Sequence, residues 1–580
     1  MKYIINDTRF NNFKKKQYNC NNRFIILFCI IIFSISIIVL KITMLQLFKT
    51  KQLIKASNSR SSRIQIEPNS RGTIQDRSGY LLAVSIPVNN ICIDPKLFFF
   101  KKKIAIDLIK LNALSQTLSV PLKKIIFKLN HAKNSHFAYL ARKVSPEIGE
   151  YIKKLHVPGV YISEDFQRYY PFGKLISQLI GITNIDGVGI EGLEKSFNKI
   201  LSGTPGKRKI RTDKFGNIVE HTTLIKKQLP RNINLSIDMR LQAIIYHELS
   251  HAVNFNKAKS GTAILTNVKT GEILAMVNSP TYNPNNLKHI SMELIRNKAV
   301  TDMFEPGSTV KPMVIMKALQ KKIITPKSII DTTPFMINKH IIRDVSYHKQ
   351  LSITDILKKS SNTGVSKLAL SMPASELTDI YSKFGLGKPT NLGLIGERKG
   401  IYPTRKHWSN LDKATFSFGY GLMVTPLQLS NVYTIIGRYG LSTPLSIIKN
   451  TKIANSIQVF PKSLVKTVLN MLESVTQPGG IGIKAAIKGY KVAVKTGTAK
   501  KINSHGKYIN RYVSYAVGVA PVSNPQFSLI VMINDPKSGK YYGGIISAPV
   551  FSSIMRFALK IVNIKPDNLS IYKKHKILSK

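Results

Sequence analysis

The sequence predicts an α+β multidomain chain, in which an N-terminal transmembrane helix is followed by two regions that mix helices and strands. Three observations carry that expectation. An uncharged apolar run, Phe24 to Leu40, lies close to the N-terminus. A glycine-punctuated stretch of short strands and helices extends from Ser57 to about Asn232. Beyond it, helix-period segments are interleaved with apolar strand-like runs such as Val513 to Ala520 and Phe527 to Ile533. At 580 residues, with 43% hydrophobic residues, the chain is long enough for more than one domain and a substantial core.

The apolar run gives a helix of roughly 26 Å, just short of a hydrocarbon core of about 30 Å. Ile42 to Phe48 extend it, with Lys41 snorkelling at the boundary. Arg9, Lys14, Lys15, Lys16 and Arg23 precede it, which favours a cytoplasmic N-terminus. No A-x-A cleavage site follows closely, so the segment reads as a retained signal-anchor, with everything after about residue 50 outside the cytoplasmic membrane. Cys20, Cys29 and Cys92 lie before, within and beyond the run. A membrane span would leave no two in one compartment, which excludes a disulfide framework.

The net charge of +56 invites a nucleic-acid reading. The lysines, however, are dispersed over every segment instead of forming one stripe, and with a membrane anchor no nucleic-acid partner is expected. The charge favours an anionic membrane surface or an anionic polymer.

Two turn-rich pieces, Ser70 to Gly79 and Gly189 to Gly206, contain no nucleophile paired with a base and read as structural. His247-Glu248-Leu249-Ser250-His251 is an H-E-x-x-H on a predicted helix, Met239 to Phe255, with both imidazoles on one face. A catalytic zinc site needs a third protein ligand. The metzincin continuation is missing, and Glu272 falls on a strand after a turn, so the histidines read as flanking an apolar stripe. Lys269-Thr270-Gly271 reads as the turn of a hairpin.

Chemistry concentrates in three motifs. Phe304 to Met313 reads as a loop entering a helix, with Ser308 in the first turn and Lys311 one turn later on the same face. A serine hydroxyl needs an adjacent base, and a lysine serves only if desolvation or other cations push its pKa down. Ile353 to Lys359 reads as helix, broken at Ser360-Ser361-Asn362 before another helix begins near Thr363. Tyr490 to Val494 alternates like a strand and delivers Lys495-Thr496-Gly497-Thr498: a cation, hydroxyls and a side-chain-free position where a substrate backbone can lie close. Each motif alone is ordinary. In the order Ser-x-x-Lys, Ser-x-Asn, Lys-Thr-Gly they are the set of penicillin-binding proteins and class A β-lactamases.

On these motifs, and on Thr415 to Met423 and Gly539 to Gly544, the chain resembles the division-specific class B penicillin-binding proteins of Gram-negative bacteria, the septal peptidoglycan D,D-transpeptidases. The resemblance implies a cytoplasmic basic tail (1–23), a transmembrane anchor (24–44) and an elongated α/β pedestal of the dimerisation type (57–235). It further implies a transpeptidase domain of the penicillin-binding/serine β-lactamase-like fold, an antiparallel sheet flanked by helices (236–564), and a C-terminal tail (565–580). Ser308 would attack the penultimate D-alanine of a donor stem peptide, with Lys311 as base, its pKa depressed by neighbouring cations such as Lys495. Ser360 would relay the proton, Asn362 would bind the donor's backbone amide, and Lys495, Thr496 and Thr498 beside Gly497 would hold its carboxylate. Backbone N–H groups of Ser308 and Thr498 would form the oxyanion hole. Diaminopimelate of a second stem peptide is the implied acceptor, β-lactams are implied inhibitors, and no cofactor or metal is called for. A D,D-carboxypeptidase side activity is also implied.

Between Thr363 and Val494 the only glutamates are Glu376, Glu397 and Glu473, none in a Glu-x-x-Leu-Asn pattern, so a persistent acyl-enzyme is expected. The resemblance places the chain in the inner membrane at the septum, its catalytic domain periplasmic, beside division proteins that include a membrane-embedded glycosyltransferase. Three rivals make different predictions. A zinc protease would lose activity to chelators, an idle scaffold acting through residues 57–235 would tolerate Ser308→Ala, and a nucleic-acid binder is opposed by the anchor.

Overall fold

The computed structural model describes residues 20–67, 69–101, 108–212, 218–450, 454–503 and 505–568. The expected basic tail before residue 20 and the tail beyond 568 lie outside the described residues. The chain divides into two compact units.

The first unit comprises residues up to 68 together with 205–228. Helix Cys20–Thr43 continues through a π-helical turn, Met44–Phe48, into helix Thr50–Ser61. From Asn22 to Met44 every side chain is exposed, although most of the run is Ile, Leu, Phe and Val. Such a surface is stable only in lipid, where a helix also satisfies its own backbone polar groups. Two of the three hydroxyls in the run follow the same rule: Ser34 donates to Ile30 O at 2.8 Å and Thr43 to Val39 O at 2.8 Å. Ser62–Glu67 pairs antiparallel with Gly206–Thr212, which pairs with Ile218–Ile225.

In the second unit, strand Leu81–Ile93 pairs antiparallel with Ala138–Val144 and Val160–Tyr169, over a small core built on Ile91, Leu114, Ile125 and Leu140. The two turn-rich pieces meet here. Glu194, fully buried, accepts from Arg71 Nε at 2.5 Å and Arg168 Nε at 2.6 Å, and Arg71 also reaches Asn198 Oδ1 and Ser202 Oγ. They form a structural clasp.

The large sheet of this unit has five antiparallel strands, ordered Ile273–Ser279, Ser260–Asn267, Phe527–Asn534, Tyr508–Ala520 and Ala493–Ile502. Helices Met239–Phe255 and Gly543–Ile561 cover one face and Pro426–Gly437 the other. With both faces covered, the central strands are apolar throughout instead of alternating. Gly543–Ile561 is long and apolar enough to cross a membrane, yet it packs its buried side on this sheet and is a core helix.

Lys269–Gly271 is the turn of the Ser260–Asn267/Ile273–Ser279 hairpin, as its sequence suggested. Helix Met239–Phe255 buries Leu241, Ile245, Leu249 and Ala252 and leaves His247 and His251 exposed, the latter stacked on Phe255. The Lys-Thr-Gly strand begins at Ala493, not at Tyr490, because Tyr490 bridges back to Ile487 in a tight turn.

Candidate active site

Ser308 lies in a 3₁₀ turn, Gly307–Val310, that runs directly into helix Lys311–Gln320 with Pro312 in its first turn. Proline there costs no hydrogen bond and fixes where the helix starts. Gly307 has φ +49°, and a Cβ on it would sit 2.6 Å from the Tyr515 hydroxyl, so only glycine fits before the serine. Ser308 is half-buried on the wall of a cavity of about 500 Å³ that Ser360, Asn362, Thr496, Gly497 and Thr498 also line. All three motifs therefore meet at one cleft.

Lys311 is completely buried. Its Nζ donates to Ser360 O at 2.6 Å and Asn362 Oδ1 at 2.7 Å, with Ser360 Oγ at 3.2 Å. Burial pulls its pKa down to about 7, while the Asp344 carboxylate opposes the fall. The sequence-based account of the depressed lysine is corrected here: desolvation is the cause, not a neighbouring cation. Repulsion acts on the other partner. Lys495, also fully buried, is lowered by burial and then by Lys311, and its Nζ donates to Ser360 Oγ at 2.8 Å. Ser360 Oγ thus stands between both amines.

Ser360 holds a left-handed backbone, φ 59° and ψ 45°, at the end of helix Ile353–Lys359. That conformation costs a non-glycine residue roughly 1–2 kcal/mol. The fold holds it through a residue that no motif marked. Asp344 accepts from the backbone N–H of Asn362 at 2.5 Å and of Thr363 at 2.9 Å. It also accepts from the hydroxyls of Ser361 at 2.5 Å and Thr363 at 2.8 Å. A carboxylate on the first N–H groups of helix Asn362–Leu370 is a strong cap, and it pins the turn that carries Ser360 and Asn362. Asp344 lies 18 residues upstream in a loop, so nothing in its local sequence signals the role.

Strand Ala493–Ile502 is the edge of the sheet, and Thr496, Gly497 and Thr498 line the cavity. Lys495 points to Ser360 from one face. Thr498, of opposite parity, accepts from Gly543 N at 2.9 Å, which leaves its own O–H to donate. Gly497 serves packing within the sheet: a Cβ there would lie 2.0 Å from Tyr515 Cε2. The expected open approach for a substrate backbone is thus not what excludes a side chain. The Tyr515 hydroxyl donates to Glu305 O at 3.0 Å, tying the strands to the nucleophile turn.

Glu305 is a second residue to which sequence assigned no role. Its buried carboxylate accepts from Gly421 N at 3.0 Å and from Tyr508 OH at 3.1 Å, and burial raises its pKa. Among the described residues no carboxylate lines the cavity. Glu376 pairs with Lys317 and Lys321, Glu397 accepts from Thr390 N, and Glu473 faces Lys491 at 3.8 Å.

Residues 261–556 match the penicillin binding protein transpeptidase domain, and residues 66–235 the penicillin-binding protein dimerisation domain. The chain is 61% identical over 575 residues to the peptidoglycan D,D-transpeptidase FtsI of Buchnera aphidicola subsp. Baizongia pistaciae, covering 98% of this chain and 100% of that protein. It is 52% identical over 548 residues to the protein of the same name in Escherichia coli K12, covering 94% and 93%. The crystal structure of a peptidoglycan synthetase from Bifidobacterium adolescentis shares the fold, with a TM-score of 0.70 at 23% identity over 87% of this chain and 98% of that one. With both domains matched and relatives at this identity over nearly the full length, the chain belongs to the penicillin-binding protein transpeptidases.

Proposed function

We propose that this chain is a septal peptidoglycan D,D-transpeptidase working through a Ser308 acyl-enzyme. The observation that carries the mechanism is a fully buried Lys311, near neutrality in pKa, one 3₁₀ turn from a serine on a cleft wall. A neutral amine has two N–H bonds. Ser360 O and Asn362 Oδ1 accept both, which leaves the lone pair for the Ser308 proton.

Ser308 Oγ attacks the carbonyl carbon of the penultimate D-alanine as its proton passes to Lys311. The tetrahedral oxyanion is held by the N–H groups of Ser308 and Thr498, an arrangement that contributes typically about 10²–10³ in rate. Collapse breaks the C–N bond, and the proton returns through Ser360 to the departing D-alanine nitrogen. Asn362, its Oδ1 committed to Lys311, presents its amide N–H groups to the donor backbone. Lys495, Thr496 and Thr498 receive the donor carboxylate. An acceptor amine, such as that of diaminopimelate, then attacks the ester and Ser308 leaves with its proton restored. A cavity without a carboxylate offers water no general base, which favours transfer over hydrolysis and a durable adduct with β-lactams.

The exposed apolar helix Cys20–Thr43 anchors the chain in the inner membrane, with the catalytic unit periplasmic at the division site. Glycan strands come from a membrane-embedded glycosyltransferase partner.

The test is labelling with a fluorescent penicillin, wild type beside Ser308→Ala, with peptide mass spectrometry of the adduct. A stable adduct on Ser308, absent from the variant and indifferent to EDTA, is expected. Folded wild-type protein that takes up no label would overturn the reading in favour of a scaffold.

A further inference from the structure

A second cleft, of about 450 Å³, opens on the sheet face that carries Tyr515. Strand pairing sets Gly497 opposite Tyr515 and Tyr515 opposite Met532, and sets Val513 opposite Asn534. These residues share one face, and Val513, Met532 and Asn534 line the cleft. Phe304 lines it too, while Gly307 and Ser308 line the catalytic cavity. The two hollows flank the Phe304–Ser308 segment, with Glu305 clamped between them by Gly421 and Tyr508. Phe304 and Ser308 are four positions apart, so their Cα atoms are at most about 14 Å from each other. That is the reach of an extended peptide of four residues.

The lining is strongly basic. Lys259, Arg296, Lys298, Arg398 and Lys501 face two carboxylates. Both carboxylates are engaged, Glu293 with Lys259 at 3.0 Å and Asp302 with Arg296 at 2.7 Å. Lys501 donates to Asn534 Oδ1 at 2.9 Å. Lys298 is different in kind: it is 3% exposed, lines the cleft, and among the described residues has no hydrogen bond or close ion pair, with Asp302 and Glu293 acting on it only through longer-range attraction. Burial holds its pKa below the usual lysine range. Dispersed surface lysines explain the chain's net charge, but not a lysine whose stem is buried and whose ammonium opens only on a cleft, where an anionic ligand can complete it.

We propose that this cleft is a subsite for a carboxylate of the acceptor stem peptide, with Lys298 as its principal counter-charge. The proposal rests on the transpeptidase reading and deepens it. The donor carboxylate is assigned to Lys495, Thr496 and Thr498, so a second anion site within one stem peptide of Ser308 suits the other substrate. A stem-peptide acceptor bears carboxylates close to the attacking amine, and anchoring one there aims the amine at the acyl carbonyl.

The test uses the full-length chain in detergent micelles, an N-acyl-D-alanyl thioester as donor, and a diaminopimelate tripeptide or its carboxamide as acceptor. For wild type, amidation should raise the acceptor KM about tenfold or more, the loss expected for a hydrogen bond to a charged group. Lys298→Met should raise the KM of the free acid by a similar factor and leave the carboxamide unmoved, with a Tm equal to or above wild type. Arg398→Gln, on an exposed side chain, should raise the free-acid KM in the same direction and guards against a folding failure of the first variant. Equal KM values for the two acceptors in all three proteins would overturn the proposal. Lys298-dependent stabilisation by inorganic phosphate without any acceptor effect would also overturn it, assigning the cleft to a free inorganic anion. Failure of the underlying reading is distinct, because wild type would then take no acyl group from the thioester or from penicillin.

Discussion

Moving the pH from 8 to 6 should switch acylation off through a single group. Lys311 is fully buried and its pKa is drawn from 10.5 to about 7. Only the neutral amine can accept the Ser308 proton, so the acylation rate follows the neutral fraction. That fraction is roughly nine-tenths at pH 8, one-half at pH 7 and one-tenth at pH 6, a fall of about tenfold across two pH units. The assay is stopped-flow or quenched labelling with a fluorescent penicillin at sub-saturating concentration, with native folding verified at each pH. A rate that is flat from pH 6 to 8, or a limb that appears only near the ordinary lysine pKa, would refute the assignment of Lys311 as a base activated by burial. The same shift has a sign for stability. Below about pH 7 both folded and unfolded chains hold this proton, and the full burial cost, on the order of 5 kcal/mol, is present. Between about 7 and 10.5 the unfolded chain binds more protons than the folded one, so this group's contribution to stability rises with pH.

Three further outcomes follow from the geometry. Asp344→Ala should strip the cap from the Ser360–Asn362 turn, lowering stability by about 2 kcal/mol and slowing acylation, with Asp344→Asn recovering part of both; thermal unfolding and labelling rates report this. Gly497→Ala forces a methyl against the buried ring of Tyr515 and should cost about 1–3 kcal/mol along with much of the acylation rate, whereas a fully active, equally stable variant would show that the ring yields freely. Glu194→Ala leaves the guanidinium groups of Arg71 and Arg168 buried without their shared carboxylate and should lower the unfolding free energy by about 3–5 kcal/mol in urea titrations.

Short-range regularities were legible in the chain before any tertiary contact was known. The N-terminal apolar helix needs only an apolar run of sufficient length, and helices Met239–Phe255 and Ile353–Lys359 end where their sequence patterns end. The nucleophile motif places Ser308 and Lys311 three apart, and that spacing fixes their common face whether the turn is 3₁₀ or α. The order of the three motifs named the chemistry, because each supplies a group that acyl transfer requires.

What sequence left open depends on residues distant in the chain. Lys311 has a lowered pKa because the fold buries it completely, and no local pattern encodes a dielectric. Asp344 reaches the Ser360–Asn362 turn only after the intervening strand and helix fold back, so its 18-residue separation hid it. Gly497 is glycine because Tyr515 from the neighbouring strand occupies the space of its Cβ, a requirement set by sheet register. Lys298 looked like one lysine among many until folding buried its stem in the wall of a cleft. Motif spacing is written by the local geometry of helix and strand and can be read in one dimension. Burial, capping across a loop and the approach of neighbouring strands are settled only when distant segments pack.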